Sequence, residues 1–272
     1  MKMKRYACSA VLVAVSLASS VPALAAGERS VVVSTSMLAS AMREIIPKGE
    51  KVNVVTILPP SSCPGHYDLS PRVVPRLKSA SLSIIHDFQG DIEKKLKGMG
   101  AGSVSFRKVS IKGSPLVPSN YHLLAQQVAS MYESVFPGVH DRILISLDSV
   151  KSRTDAFSKK AVETAKPWKG RPVIAATHTV EFCVWLGFDV VGIIRRTEEM
   201  KPRDYQKIAG LKADMIVANL QEGTQGAESL SERMKIPCAV LSNFPGADGF
   251  GTDYYDLMNA NLSRLAAAWD KR

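Results

Sequence analysis

Val52-Asn-Val-Val-Thr-Ile-Leu58 runs straight into Pro59-Pro-Ser-Ser-Cys63-Pro-Gly-His66-Tyr-Asp-Leu-Ser-Pro71. The first part is a β-branched apolar run, and the second is rich in the residues that make turns, so a strand delivers a loop. The pattern returns far downstream, where Val173-Ile-Ala-Ala-Thr-His178-Thr-Val180 ends a second apolar strand on a histidine and enters a helical run. Each half therefore presents one imidazole, His66 or His178, from the carboxyl end of a strand, which is where open α/β sheets hold their ligands.

Working outward, strands and helices alternate. Strands are expected at 30–35, 52–58 and 82–86, with an extended stretch at 104–111, and helices at 37–46, 71–80, 91–97 and 118–136. A long polar-rich run at 141–166 carries Ile143, Leu144, Leu147, Val150, Thr154 and Phe157 as its apolar stripe and stops at Pro167. At about 1.5 Å per residue it is long enough to cross a small lobe. Beyond it lie strands at 173–176, 189–194, 215–218 and 239–242, with helices between them and a last helix from Tyr254. This predicts an α/β protein of two lobes, each a parallel sheet built from strand–helix units, joined by one long helix, with a ligand site between the lobes. The expected divisions are a signal peptide at 1–26, an N-terminal lobe at 27–140, the linking helix at 141–167 and a C-terminal lobe at 168–272.

The leader assignment rests on Lys2, Lys4 and Arg5 ahead of the apolar Ala10–Val21 and the small residues around Ala25. It predicts an exported, periplasmic protein with its signal cleaved. Cys8 precedes the apolar core, so no lipid anchor is expected, and no later stretch is long enough to span a bilayer. The formal net charge is +10, but the basic residues are scattered without aromatic interleaving, which argues against nucleic acid and for a solvated basic surface. Past the leader remain Cys63, Cys183 and Cys238, an odd number for an oxidising compartment, so at least one thiol is expected outside an intrachain disulfide.

The order of these pieces resembles the metal-binding solute-binding proteins of zinc- and manganese-type ABC importers. The resemblance is carried by Val31-Val-Val-Ser-Thr35, Leu58-Pro-Pro60, Gly65-His66-Tyr-Asp-Leu-Ser-Pro71, Val74-Pro-Arg-Leu-Lys-Ser-Ala80, Pro118-Ser-Asn120, Thr177-His178 and Tyr255-Asp-Leu-Met-Asn-Ala-Asn-Leu262. It implies a rigid linking helix, a monomer, a metal ion as cargo held between the lobes, and an ABC permease as partner. It implies ligand roles for His66 and His178. It also shows two departures: the family's second ligand, a histidine, falls on Gly113, and its last ligand, an acid, falls on Asn243.

A divalent ion needs about four donors, some of them strongly donating. Cys63 lies three residues before His66 on one loop, and His86 ends a strand at the same edge of its lobe. The expected metal set is therefore His66, His178, Cys63 and His86, with Asn243 as a pocket residue, and its soft donors favour Zn2+ over manganese. Each has a plainer reading: a loop-bonding histidine for His66, strand-end packing for His178, a partner of Asp87 for His86, a disulfide half or buried apolar residue for Cys63. Cys183 and Cys238 read as core, His122 and His140 as exposed, and Arg195 and Arg196, just after a strand, as a solvated loop ahead of the alternative that they meet an anionic ligand. The leading function is a periplasmic receptor that captures a transition-metal ion, zinc above others, for an ABC permease. The alternatives are the same fold binding a metal chelate or small organic ligand, and a zinc hydrolase. The hydrolase would have only Asp68 and Glu181 as nearby acids and lacks a His-Glu-x-x-His motif, so the chain is not expected to be an enzyme.

Overall fold

The computed structural model describes residues 29–271 apart from 66, 68 and 101, so the expected signal peptide, His66 and Asp68 lie outside the described residues. The first half contains β1 (Arg29–Val33), α1 (Ser36–Ile45), β2 (Val52–Thr56), α2 (Val73–Ser79), β3 (Leu82–His86), α3 (Gly90–Gly98), β4 (Arg107–Val109) and α4 (Pro118–Val135). Then comes α5 (His140–Thr164), which ends in a 3-10 turn at Lys166–Trp168. The second half contains β5 (Pro172–Ala176), α6 (Val180–Trp185), β6 (Asp189–Ile194), α7 (Pro202–Ala209), β7 (Met215–Asn219), α8 (Gln225–Met234), β8 (Cys238–Leu241) and α9 (Tyr254–Trp269).

The strands form two all-parallel sheets, ordered β2-β1-β3-β4 and β6-β5-β7-β8. The two orders are the same, so each sheet has its switch point in one place: between β1 and β3, and between β5 and β7. The crevice at the carboxyl ends of those strand pairs is where such sheets bind ligands.

Period-two alternation decides which core each strand feeds. Val31 and Val33 of β1, Val173 and Ala175 of β5, and Met215 and Val217 of β7 all point into one cluster that spans both halves and takes in helices α1, α4, α5, α6 and α9. Val32 faces a smaller cluster with Leu77, Ile92 and Leu96 beyond the first sheet, while Ile174, Ile216 and Ala218 face another with Ile208 and Leu230 beyond the second. The seam between the halves includes Tyr121 of α4 stacked on Tyr254 of α9, with ring centroids 3.6 Å apart. Tyr121 donates to Glu44 of α1 at 2.6 Å, and the Tyr254 amide donates to Ser40 at 2.9 Å. Burial raises the Glu44 carboxyl, against the lowering effects of Tyr121 and Arg153.

On α5 the buried residues are Ile143, Val150, Thr154, Phe157 and Ala161. Leu144, expected on that stripe, is 48 % exposed because it lies one residue, and so about 100° of helix, off the line from Ile143 through Leu147 to Val150. Among the described residues no helix is long and apolar enough to cross a membrane.

Candidate functional site

A cleft of about 540 Å³ lies between the carboxyl ends of the two sheets, with walls from both halves. Cys63, His86 and Gly113 line it from the first half, and His178, Arg196 and Asn243 from the second.

Each side chain is placed by local chemistry. Cys63 rides the proline-rich loop after β2, where Ser62 closes a turn by donating its amide to the Pro59 carbonyl at 3.0 Å. His86 is the last residue of β3 and is 5 % exposed. Its Nε2 lies 3.1 Å from the Thr35 hydroxyl, and its ring stacks on Phe88 at 5.0 Å. Burial pulls its pKa down to about 4, against the opposing pull of Asp87, so the imidazole is neutral at pH 7. His178 occupies a 3-10 turn, Thr177–Thr179, that joins β5 to α6 and is fastened by the Thr179 hydroxyl donating to the Ala176 carbonyl at 2.9 Å.

The second half adds a carboxylate not anticipated from the sequence. Glu222 sits in the turn Leu220–Glu222 after β7, which Asn219 caps by accepting from the amides of Gln221 and Glu222. The side chain is 5 % exposed, accepts from the His178 amide at 3.2 Å and lies 3.6 Å from His178 Nε2. Burial raises its pKa and the His178 charge lowers it, with burial the larger effect. The carboxylate thus fastens the backbone of the His178 turn and places a negative charge beside the imidazole.

Among the described residues, polar links join the halves around the cleft at three places. Arg196 Nη2 donates to Cys63 Sγ. Gln221 Nε2 donates to the Pro60 carbonyl at 2.8 Å. Glu181 of α6 accepts from the Ser114 amide at 2.5 Å and from Asn120 Nδ2 at 2.9 Å. Arg196, read from the sequence as part of a solvated loop, is only 8 % exposed; β6 ends beside the cleft, and the two halves cover the guanidinium between them. Gly113 has φ +91, a left-handed conformation that favours glycine, and a Cβ there would push the Glu181 carboxylate aside. Asn243 donates its amide to Gln221 Oε1 at 3.0 Å, while its own Oδ1 is buried with no hydrogen-bond partner among the described residues.

Cys63, His86 and His178 thus share one cleft with Asn243. Among the described residues no three His, Cys, Asp or Glu side chains are grouped closely enough to hold a metal ion, and His66 lies outside the described residues. Cys183 is fully buried, with its thiol pushed up to about 12; Cys238 is partly buried and pushed up to about 11, in both cases mainly by burial. Neither is in a disulfide. His140 is exposed and paired with Glu133, whereas His122 is half-buried rather than exposed.

The model of the family described as ZnuA, zinc-uptake complex component A, periplasmic, matches residues 31–268. A crystal structure of ZnuA aligns with TM-score 0.72 and 14 % identity, covering 89 % of this chain and 99 % of that one. A structure of TroA, described for its metal-binding specificity, aligns at 0.72 with 13 % identity, covering 89 % and 100 %. The Mn-bound periplasmic metal-binding protein of Candidatus Liberibacter asiaticus aligns at 0.70 with 13 % identity, covering 89 % and 99 %. At these identities the structures establish the shared two-lobed fold. No curated protein matches the sequence significantly.

Proposed function

Because this chain belongs to the ZnuA family of periplasmic metal-binding components of ABC importers, whose members bind and transport rather than catalyse, we propose that it captures zinc and hands it to a cognate permease. The observation that carries the reading is the convergence of Cys63 and His178, from loops at the carboxyl ends of opposite sheets, on one cleft. Thiolate and imidazole are soft, strongly donating ligands that suit zinc better than manganese. His66 and His178 are the proposed histidine ligands, with Cys63 on the His66 loop and His86 at the neighbouring strand end completing the set once loading draws Cys63, His86 and His178 closer together than they lie here. Glu222, held to the His178 amide, supplies the negative charge that Asn243 does not. The leader at 1–26 would direct the protein to the periplasm and be cleaved, leaving a monomer without a membrane anchor. Loading and release would require the Pro60–Gln221, Cys63–Arg196 and Ser114–Glu181 links to give way.

Metal content of the purified, untagged mature protein tests this. The expected result is about one equivalent of zinc in the wild type, with loss in His66→Ala, His178→Ala and Cys63→Ser. A wild type that stays metal-free after incubation with zinc, copper and manganese refutes capture of an uncomplexed ion.

A further inference from the structure

A bare ion with four protein ligands leaves much of this cleft without a purpose. Its volume, about 540 Å³, falls in the range of sites for small organic molecules. Val109, Ile111, Pro115, Phe88 and Phe244 give it apolar walls, and Phe88 is 66 % exposed at its rim. Into the same cleft comes Arg196, 8 % exposed, in contact with Cys63 and paired at 3.8 Å with the exposed Glu198, whose place a ligand carboxylate can take. A fixed guanidinium beside a proposed thiol ligand repels a bare dication and matches a carboxylate, which it can grip through two parallel hydrogen bonds. Glu199 lines the cleft as well, and its charge suits an amine. The buried Asn243 Oδ1, without a partner among the described residues, is an acceptor available to an N–H or O–H group of a ligand.

We infer that the cargo is a transition-metal ion held in a small carboxylate-bearing organic chelate, with Arg196 on the chelator's carboxylate and Phe88 and Phe244 against its apolar part. This rests on the reading of the protein as a metal receptor, since His178 and Cys63 then supply protein ligands to the chelated ion. The chelator replaces the donors that Gly113 and Asn243 do not offer.

Calorimetry on metal-stripped mature protein separates the two ideas, with four titrants: zinc alone, zinc with L-histidine, zinc with citrate, and L-histidine alone. At least one complex is expected to bind about tenfold or more tighter than zinc alone. Arg196→Gln should remove most of that advantage, while zinc alone, relieved of the neighbouring positive charge, should bind no more weakly than it does to the wild type. Phe88→Ala, at an exposed position on the cleft rim, should weaken the complex by a larger factor than it weakens zinc alone. Equal or weaker binding of both complexes than of zinc overturns the inference and leaves the metal-receptor reading standing. So does an Arg196→Gln variant that keeps the wild type's preference. L-Histidine binding alone as tightly as its zinc complex, undiminished in His178→Ala, refutes the metal-receptor reading and with it the inference.

Discussion

His86 shows how much a single position can carry. Its strand is buried on every residue, so the ring at the strand's end is desolvated and its pKa falls to about 4. Between the ordinary value of 6.5 and that value the unfolded chain binds a proton that the folded chain refuses. Stability is therefore expected to fall as pH drops through this window, by at most on the order of 3 kcal/mol from this residue. Urea midpoints for the wild type and His86→Gln at pH 7 and pH 4.5 check this, because the variant should lose that part of the slope; parallel slopes would refute it. His178 sits differently. It is 57 % exposed, with the buried Glu222 behind it, so the sequence revealed the imidazole but not the carboxylate beside it. Glu222 follows no spacing rule from His178. It arrives because β7 pairs with β5 and both strands end at the same crevice.

At the scale of elements, the apolar stripe of α5 was legible because helical periodicity alone predicts which residues share a face. Its starting point was legible to within a residue, and Leu144 was misplaced because two adjacent apolar residues leave the phase of the stripe open. The structure resolves the phase, and the stability of the helix should follow it. Phe157→Ala, at a position 7 % exposed, is expected to cost about 3–5 kcal/mol. Leu144→Ala, half-exposed, should stay within about 0.5 kcal/mol of the wild type. Thermal and urea melts of both variants measure the difference, and comparable losses would place the buried face elsewhere. Between elements the 3-10 turns matter more than the helices they precede: Thr177–Thr179 and Leu220–Glu222 are what bring His178 and Glu222 together.

Across the whole molecule, the two sheets are separate but the hydrophobic core is not. One cluster runs from β1 through α1, α4 and α5 to β5, β7 and α9, and the Tyr121–Tyr254 stack lies within it. A shared core makes the halves unfold together. All three tryptophans, Trp168, Trp185 and Trp269, belong to the second half, so their fluorescence reports on it, while far-ultraviolet circular dichroism reports on both. The two signals are expected to give coincident denaturation curves. Tyr254→Ala should shift both together, by about 3–5 kcal/mol. Two separated transitions in the wild type would show the halves to be independent. The same continuity bears on function, because halves sharing a core have little room to swing apart, which leaves the polar links around the cleft as the parts that can move.

By itself the sequence determined the α/β class, the alternation of strands and helices, the long central helix, and the loops after β2 and β5 that carry Cys63 and His178 to the cleft. These depend on periodicity, on proline and glycine punctuation, and on what directly follows a strand, all of which are local. Only the tertiary structure decided which charges enter the cleft. Arg196 and Cys63 are 133 residues apart and touch; Glu181 reaches Ser114 across 67. An arginine after a strand looks the same in sequence whether it faces water or a binding cleft. The order of strands in the sheet and the docking of two sheets on one core settle the matter, and neither leaves a trace in the spacing of neighbouring residues.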